Sequence, residues 1–351
     1  MEHVAPDEDR TEMGLQRTLR EIQGITARHY GRGVRGVHAK AIGIVRGTFE
    51  VSDNLPETLR QGLFDCPAQY AAVIRFSTNP GDLLDDAVSV PRGMAVKVIG
   101  VVGPRLDNSE GERTQDFLMA SGPAFGASTP KSFLRMLRTL SKTTDRFGGA
   151  KVLLSSILQP LEAQLRSFWP GGTVLGRFGG SPRHHPLGQS YFSQTAYLYG
   201  PYMAKFSAVP TSSALRELVG GTVRNCRGAT ALRHAVGSVL AAHGGEWEFR
   251  VQLCNNLDDM PIEDATAVWD EARSPFVTVG RLTAPPQPGW GEWAERMDRD
   301  LAFNPWHGLT VHRPLGGVNR SRKGTYRGSA EFRAGVNGCP ILQPAAGSEL
   351  D

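Results

Sequence analysis

The sequence predicts an α+β fold, an eight-stranded antiparallel β-barrel with a helical insertion and C-terminal helices. Three observations carry this expectation. Eight runs have strand character and fall into two groups of four. A stretch with apolar residues at three- and four-residue intervals separates the groups. Eight antiparallel strands are a natural number for closing a barrel and removing its open edges.

In chain order, residues 1–12 read as a disordered tail and residues 13–28 as an arm helix. The first strand group is AIGIVRGTFEV (41–51), AAVIRFST (71–78), GMAVKVIGV (93–101) and TQDFLMA (114–120). Each mixes alternation with β-branched content. Between the first two, DNLPETLRQGLF carries a capping Asp or Asn and Pro56, which predicts a short helix. Residues 130–168 have helical spacing, interrupted at Pro160, and residues 169–189 read as a loop rich in Gly, Pro and His. The second group is SYFSQTAYLYG (190–200), YMAKFSAVP (202–210), WEFRVQLCNN (247–256) and VTVGRLTAP (277–285), the first two parted by Gly200-Pro201. From about residue 290 the chain is loop-rich and ends in a short helix near 320–333. The expected organisation is a tail and arm helix over 1–29, one barrel domain over 30–335 and a C-terminal tail over 336–351.

Composition narrows the function. With 40% hydrophobic and 21% charged residues the chain reads as soluble and globular. A net charge of +4 without any Lys/Arg block argues against a nucleic-acid binder. The four cysteines are scattered and form no CxxC pair, so neither a zinc site nor a disulfide framework is expected. No run is long enough to span a bilayer and no signal-peptide core is visible, so the expected location is the cytoplasm.

The stretch SRKGTYRGSAEFR (321–333) is the most informative. At about 100° per residue, Arg322 and Tyr326 are one turn apart and Arg333 returns to their face. A phenolate can ligate ferric iron, an adjacent guanidinium favours the anion, and a second Arg can pair with a carboxylate. Tyrosine as an iron ligand is a known ligation pattern. Gly324 and Gly328 lie on the opposite side and predict a close approach by another element. Read alone, the same stretch is more often a solvated surface helix with a half-buried Tyr.

Near the N-terminus, His38 precedes the first strand, and a neutral imidazole there can take and return a peroxide proton. Arg35 lies three residues earlier. Arg75 sits in an apolar run and therefore needs an anionic partner. Ser77 shares its strand face and could orient the His38 ring. An isolated histidine is more often simply a hydrogen-bonded residue of the interior.

Together these pieces resemble the haem catalase superfamily, specifically its small catalase-related peroxidase branch. The resemblance rests on R-x-V-H-A-K (35–40), V-I-R-F-S-T (73–78), R-G-M-A-V-K (92–97), F-x-V-Q-L (249–253), the run 261–285, F-N-P (303–305) and R-x-x-x-Y-x6-R (322–333), in the family's order. It implies haem b (iron protoporphyrin IX) as cofactor. It matches His38 to the distal histidine, Val37 to a valine narrowing the distal channel and Ser77 to the serine bonded to that histidine. Arg35, Arg75 and Arg333 match propionate-binding arginines, and Tyr326 matches the proximal ligand with Arg322 as its hydrogen-bonding partner. The family's distal asparagine has no counterpart in GERTQDFLMA, where Thr114 and Gln115 stand nearest. Phe125 is the candidate for the haem-stacking phenylalanine. At 351 residues the chain is short for the family and in this resembles its small branch.

The expected function is reduction of organic hydroperoxides or hydrogen peroxide, with a peroxide substrate and a small organic reductant as partners. No nucleic acid and no membrane span are expected, and a homo-oligomer is compatible with the sequence. The alternatives are hydrogen peroxide disproportionation, rearrangement of a fatty acid hydroperoxide as in allene oxide synthases, and a non-catalytic haem carrier. A plain lipid-binding barrel leaves the ordered Arg, His and Tyr motifs without a purpose.

Overall fold

Alternation of apolar side chains along the predicted strands becomes a barrel. The computed structural model describes residues 2–107, 109–141, 183–223 and 226–350. Nine strands form one sheet: β1 (Ala41–Val51), β2 (Gln69–Thr78), β3 (Arg92–Ile99), β4 (Thr114–Ala120), β5 (Tyr191–Phe192), β6 (Tyr197–Tyr199), β7 (Tyr202–Pro210), β8 (Gly245–Leu253) and β9 (Val277–Ala284). Their order is β5-β4-β3-β2-β1-β9-β8-β7-β6, and a β5–β7 pairing closes the ring. All ladders are antiparallel.

The run 190–200 forms two strands where one was expected. Gln194 takes a left-handed backbone (φ 63°) and breaks the ladder. The pieces still share one partner edge: β5 pairs the C-terminal half of β7 and β6 its N-terminal half. Counted as one interrupted strand, they give a closed eight-stranded barrel.

The two faces of each strand divide the work. Ile74 and Phe76 of β2, Met94, Val96 and Val98 of β3, and Phe117 of β4 belong to the barrel core, with Phe206, Trp247 and Phe249. The intervening residues face outward, and Ile44 and Val73 pack there against a helix at Glu292–Asp300. Burying such side chains contributes about 1.5–3 kcal/mol each.

The helical elements differ from the sequence reading in several places. The N-terminal helix starts at Glu8 and runs to Tyr30, so it takes in part of the stretch read as a tail. Its buried Leu15, Leu19 and Ile22 recur at helical spacing, and Gly31 closes it with φ 68°. Glu2, also in that stretch, is bonded to Arg313 and Arg320. Residues 53–64 form two short 3-10 turns (Glu57–Leu59, Gly62–Phe64) in place of a helix. The C-terminal helix spans Gly317–Asn337, 21 residues, well beyond 320–333. Helices at Ala231–His243 and Glu292–Asp300 had no counterpart in the sequence reading. Of the expected helical insertion, Pro130–Ser141 is a helix, and the rest, with the first part of the 169–189 loop, lies outside the described residues. No helix among the described residues is long and apolar enough to cross a membrane. The four cysteines are free.

Inside the barrel, His312 lies against Phe64, Tyr199 and Phe206 and is fully buried. Its Nε2 accepts the Leu63 N–H at 3.1 Å. Burial pushes its pKa down to about 4. The neutral form is thus the one the fold tolerates, and its contribution is complete above the unfolded value near 6.5. That contribution is lost as pH falls from about 6.5 to about 4, to the extent of about 3 kcal/mol. Denaturant midpoints measured across this range are expected to drop, and His312→Asn is expected to flatten the profile.

Candidate functional site

A cavity of about 1150 Å³ lies outside the barrel wall. Its walls come from the N-terminal helix, the Pro130–Ser141 helix, the C-terminal helix and the outward faces of β2, β3 and β4. The segments 79–91 and 118–126 complete them.

His38 stands at one wall in a left-handed backbone conformation, φ 52°, which is uncommon for a residue with a side chain. Neighbouring groups hold it there. Its N–H donates to the Asn79 carbonyl at 2.8 Å, and its own carbonyl accepts from Arg75 Nη2 at 2.8 Å. The ring's Nδ1 lies 3.0 Å from Ser77 Oγ. Gly93 is required beneath the ring, because a Cβ there would sit 2.5 Å from His38 Cε1 and Nδ1. Ser77 and Gly93 are cross-strand partners, so the register of β2 and β3 builds the seat of the histidine. Burial, and then the charges of Arg75, Arg322 and Arg35, push the His38 pKa down to about 3. The imidazole is therefore neutral at ordinary pH. Among the described residues its Nε2 makes no hydrogen bond.

Arg75, buried in β2, has its anionic partner in Asp298, which the sequence reading did not single out. Arg75 Nε donates to Asp298 Oδ1 at 3.0 Å, and Arg35 Nη1 donates to the same oxygen at 2.6 Å. Arg333 donates to the backbone carbonyls of Asp298, Arg299 and Leu301, and its buried Nε has no partner. Although burial raises the Asp298 carboxyl, Arg75, Arg35 and Arg333 hold it at about 2. Burial and the neighbouring cations lower Arg35 well below its usual value. Three guanidinium groups thus surround one carboxylate, leaving an excess of two positive charges beside the cavity.

From the C-terminal helix, Arg322, Tyr326 and Arg333 all line the cavity, as their spacing predicts. Arg322 Nη1 donates to Asn319 Oδ1 at 3.1 Å and to Thr195 Oγ1 at 3.3 Å, and its guanidinium lies 5.3 Å from the Phe125 ring. Among the described residues Arg322 makes no hydrogen bond to Tyr326; its Nη1 goes to Thr195 and Asn319 instead. The Tyr326 hydroxyl makes no hydrogen bond among the described residues. Gly324 does admit a neighbour, since a Cβ there would meet Glu12 Oε1 of the N-terminal helix at 2.2 Å. Gly328 faces open space. Val37 and Phe125 both line the cavity, Val37 packed with the leucines of the N-terminal helix.

Thr114 and Gln115 do not belong to the site. Gln115 is fully buried and its Oε1 accepts the Leu309 N–H at 2.9 Å. Thr114 lies four residues along β4 from Leu118, the first residue of that strand in the cavity wall, which is about 13 Å at strand rise. What this stretch supplies instead is Asp116, in a fully buried pair with Lys97 at 2.7 Å. An amide does line the cavity beside His38, but it is Asn79, immediately after β2. Its adjacency to R-F-S-T was the one signal available in the sequence.

No protein-family model matches the chain, and no curated protein is similar to it in sequence. Among solved structures it is similar to a fungal catalase, with 18% identity and a TM-score of 0.61 over 90% of this chain and 64% of that one. It is similar to catalase A from Saccharomyces cerevisiae, with 19% identity and a TM-score of 0.62 over 90% and 67%. A bacterial catalase aligns with 16% identity and a TM-score of 0.59 over 90% and 62%. The chain therefore has the fold of the catalases, and it spans about 64% of the length of the fungal one.

Proposed function

We propose that this chain is a haem-dependent peroxidase that reduces organic hydroperoxides or hydrogen peroxide. The observation that carries the reading is one cavity lined by a neutral, serine-backed His38, by Tyr326 with an unbonded hydroxyl, and by three arginines gathered at Asp298, Arg35 and Arg75 on its carboxylate and Arg333 on its backbone carbonyl. The catalase fold supports it.

The residues fit haem b. Two propionates would supply the two negative charges that the Arg35–Arg75–Arg333–Asp298 cluster lacks, and Arg333 Nε offers a donor without a partner. Among the described residues no three His, Cys, Asp or Glu side chains gather as a metal site. A single phenol suits an iron that already has four porphyrin nitrogens. Tyr326 would hold the iron, and Phe125 and Val37 would flank the ring.

Haem b, when bound, supplies the ferric iron at which a peroxide O–O bond is cleaved. The chain's own part is proton handling. With Nδ1–H donating to Ser77 Oγ, His38 keeps a lone pair on Nε2 that can accept the peroxide proton and return it to the departing oxygen. The low pKa keeps that lone pair available down to acidic pH. Arg322, held by Thr195 and Asn319, places positive charge on the face of the helix that carries Tyr326. Leu15, Leu19 and Ile22, with Phe133 and Leu137, give the cavity an apolar wall.

That wall favours peroxides with an organic group over hydrogen peroxide. With haem loaded and a small organic reductant present, turnover of a bulky alkyl hydroperoxide is expected to exceed that of hydrogen peroxide. Rapid oxygen release from hydrogen peroxide alone would instead make the protein a catalase. Conversion of a fatty acid hydroperoxide without reductant would make it a rearranging enzyme.

A further inference from the structure

On the opposite face of the strand pair that seats His38 lies a buried cation with no ion pair among the described residues. Arg92, the first residue of β3, is 2% exposed and points into the end of the barrel, in phase with Met94 and Val96. Its Nη1 is sealed from solvent without a hydrogen-bond partner, and its guanidinium has no ion pair among the described residues. Its cross-strand partner is Thr78, 5% exposed, whose Oγ1 is likewise unpartnered.

A third unpartnered donor lies near this end. Trp247 is fully buried with no acceptor for Nε1, and its ring is 5.7 Å from Phe76, two residues before Thr78 on the same face. Asp86, whose charge acts on Arg92, is already committed: one oxygen binds Lys40 Nζ at 2.5 Å and the other accepts the Leu232 N–H at 2.9 Å. Tyr191 and Cys226, the other polar neighbours of Arg92, carry no charge that would offset it. An uncompensated buried guanidinium is costly, and so are buried donors without acceptors.

We propose that this end of the barrel binds a small monovalent anion, held by Arg92 with Thr78 Oγ1. Pro91 and Gly93, the chain neighbours of Arg92, line the large cavity, so the two sites are separated by the strand pair itself. The anion would sit back to back with the histidine seat. Ser77 and Gly93 support His38 on one face of β2 and β3, and Thr78 and Arg92 face the anion on the other.

The test is thermal unfolding of the full chain in sodium chloride or sodium formate, against sodium gluconate at equal ionic strength. The wild type is expected to gain Tm with the logarithm of chloride or formate concentration, by roughly 3 °C at a hundredfold excess over Kd. Arg92→Met is expected to melt higher than wild type in gluconate and to show no gain specific to the small anions. Thr78→Val is expected to need a higher concentration for the same gain. If neither anion raises the wild-type Tm above gluconate, or if Arg92→Met keeps the full gain, the proposal is wrong. Should Arg92→Met not fold, Thr78→Val decides: a weakened response supports the site and an unchanged one overturns it. None of these readings depends on peroxide turnover.

Discussion

Replacing Lys97 with Met is expected to cost about 3–5 kcal/mol of stability, because it strands a buried carboxylate. Both partners of the Lys97–Asp116 pair are completely inaccessible, and Nζ bonds both carboxylate oxygens at 2.7 and 2.8 Å. Asp116 also accepts the Asn304 N–H at 3.0 Å and lies 3.2 Å from His307 Nδ1. Burial raises its carboxyl, yet Lys97 and His307 together hold it below the usual range. The pair ties β3 and β4 to the segment that follows the Glu292–Asp300 helix, and that segment brings Phe303 to the cavity wall. Removing one charge leaves the other buried, whereas removing both is far less costly. Lys97→Met with Asp116→Leu is therefore expected to recover most of the loss, read as denaturant midpoints in a double-mutant cycle. An additive cycle would contradict the coupling.

The second large effect concerns His38. In the haem-loaded protein, His38→Ala is expected to lower kcat/KM for peroxide by about 10²–10⁴-fold, the usual worth of a positioned acid–base group. Haem binding is expected to persist, since the arginine cluster and Tyr326 are untouched. Gly93→Ala acts on the same group indirectly. Its Cβ would collide with the His38 ring, so peroxide turnover is expected to fall while Tyr326 and the cluster stay in place. A His38→Ala protein with full turnover would remove the histidine from the chemistry, whereas a haem-loaded wild type without peroxide turnover would favour the haem-carrier reading.

Much of the barrel was legible because its signals are local. Alternation marked the strands, and Arg322, Tyr326 and Arg333 share a face by helical geometry alone. The interrupted strand at 193–196 was less visible, since a left-handed Gln194 leaves no mark in hydropathy. Asp298 could be anticipated only as a demand: Arg75 required an anion, but the sequence did not say which helix would bring it. Thr114 and Gln115 were misplaced for a different reason. They were chosen by resemblance, as the residues nearest to where the family's asparagine stands, and the cavity lies at the other end of β4. Arg92 shares the limit met at Asp298, since its isolation appears only when every neighbour is in place.

The most direct test of the central claim is the ultraviolet–visible spectrum of the haem-loaded protein beside that of Tyr326→Phe. A high-spin ferric tyrosinate spectrum is expected for the wild type and its loss in the variant. An identical spectrum for the two proteins would contradict iron ligation by Tyr326 and, with it, the reading of the cavity as a haem site of this kind.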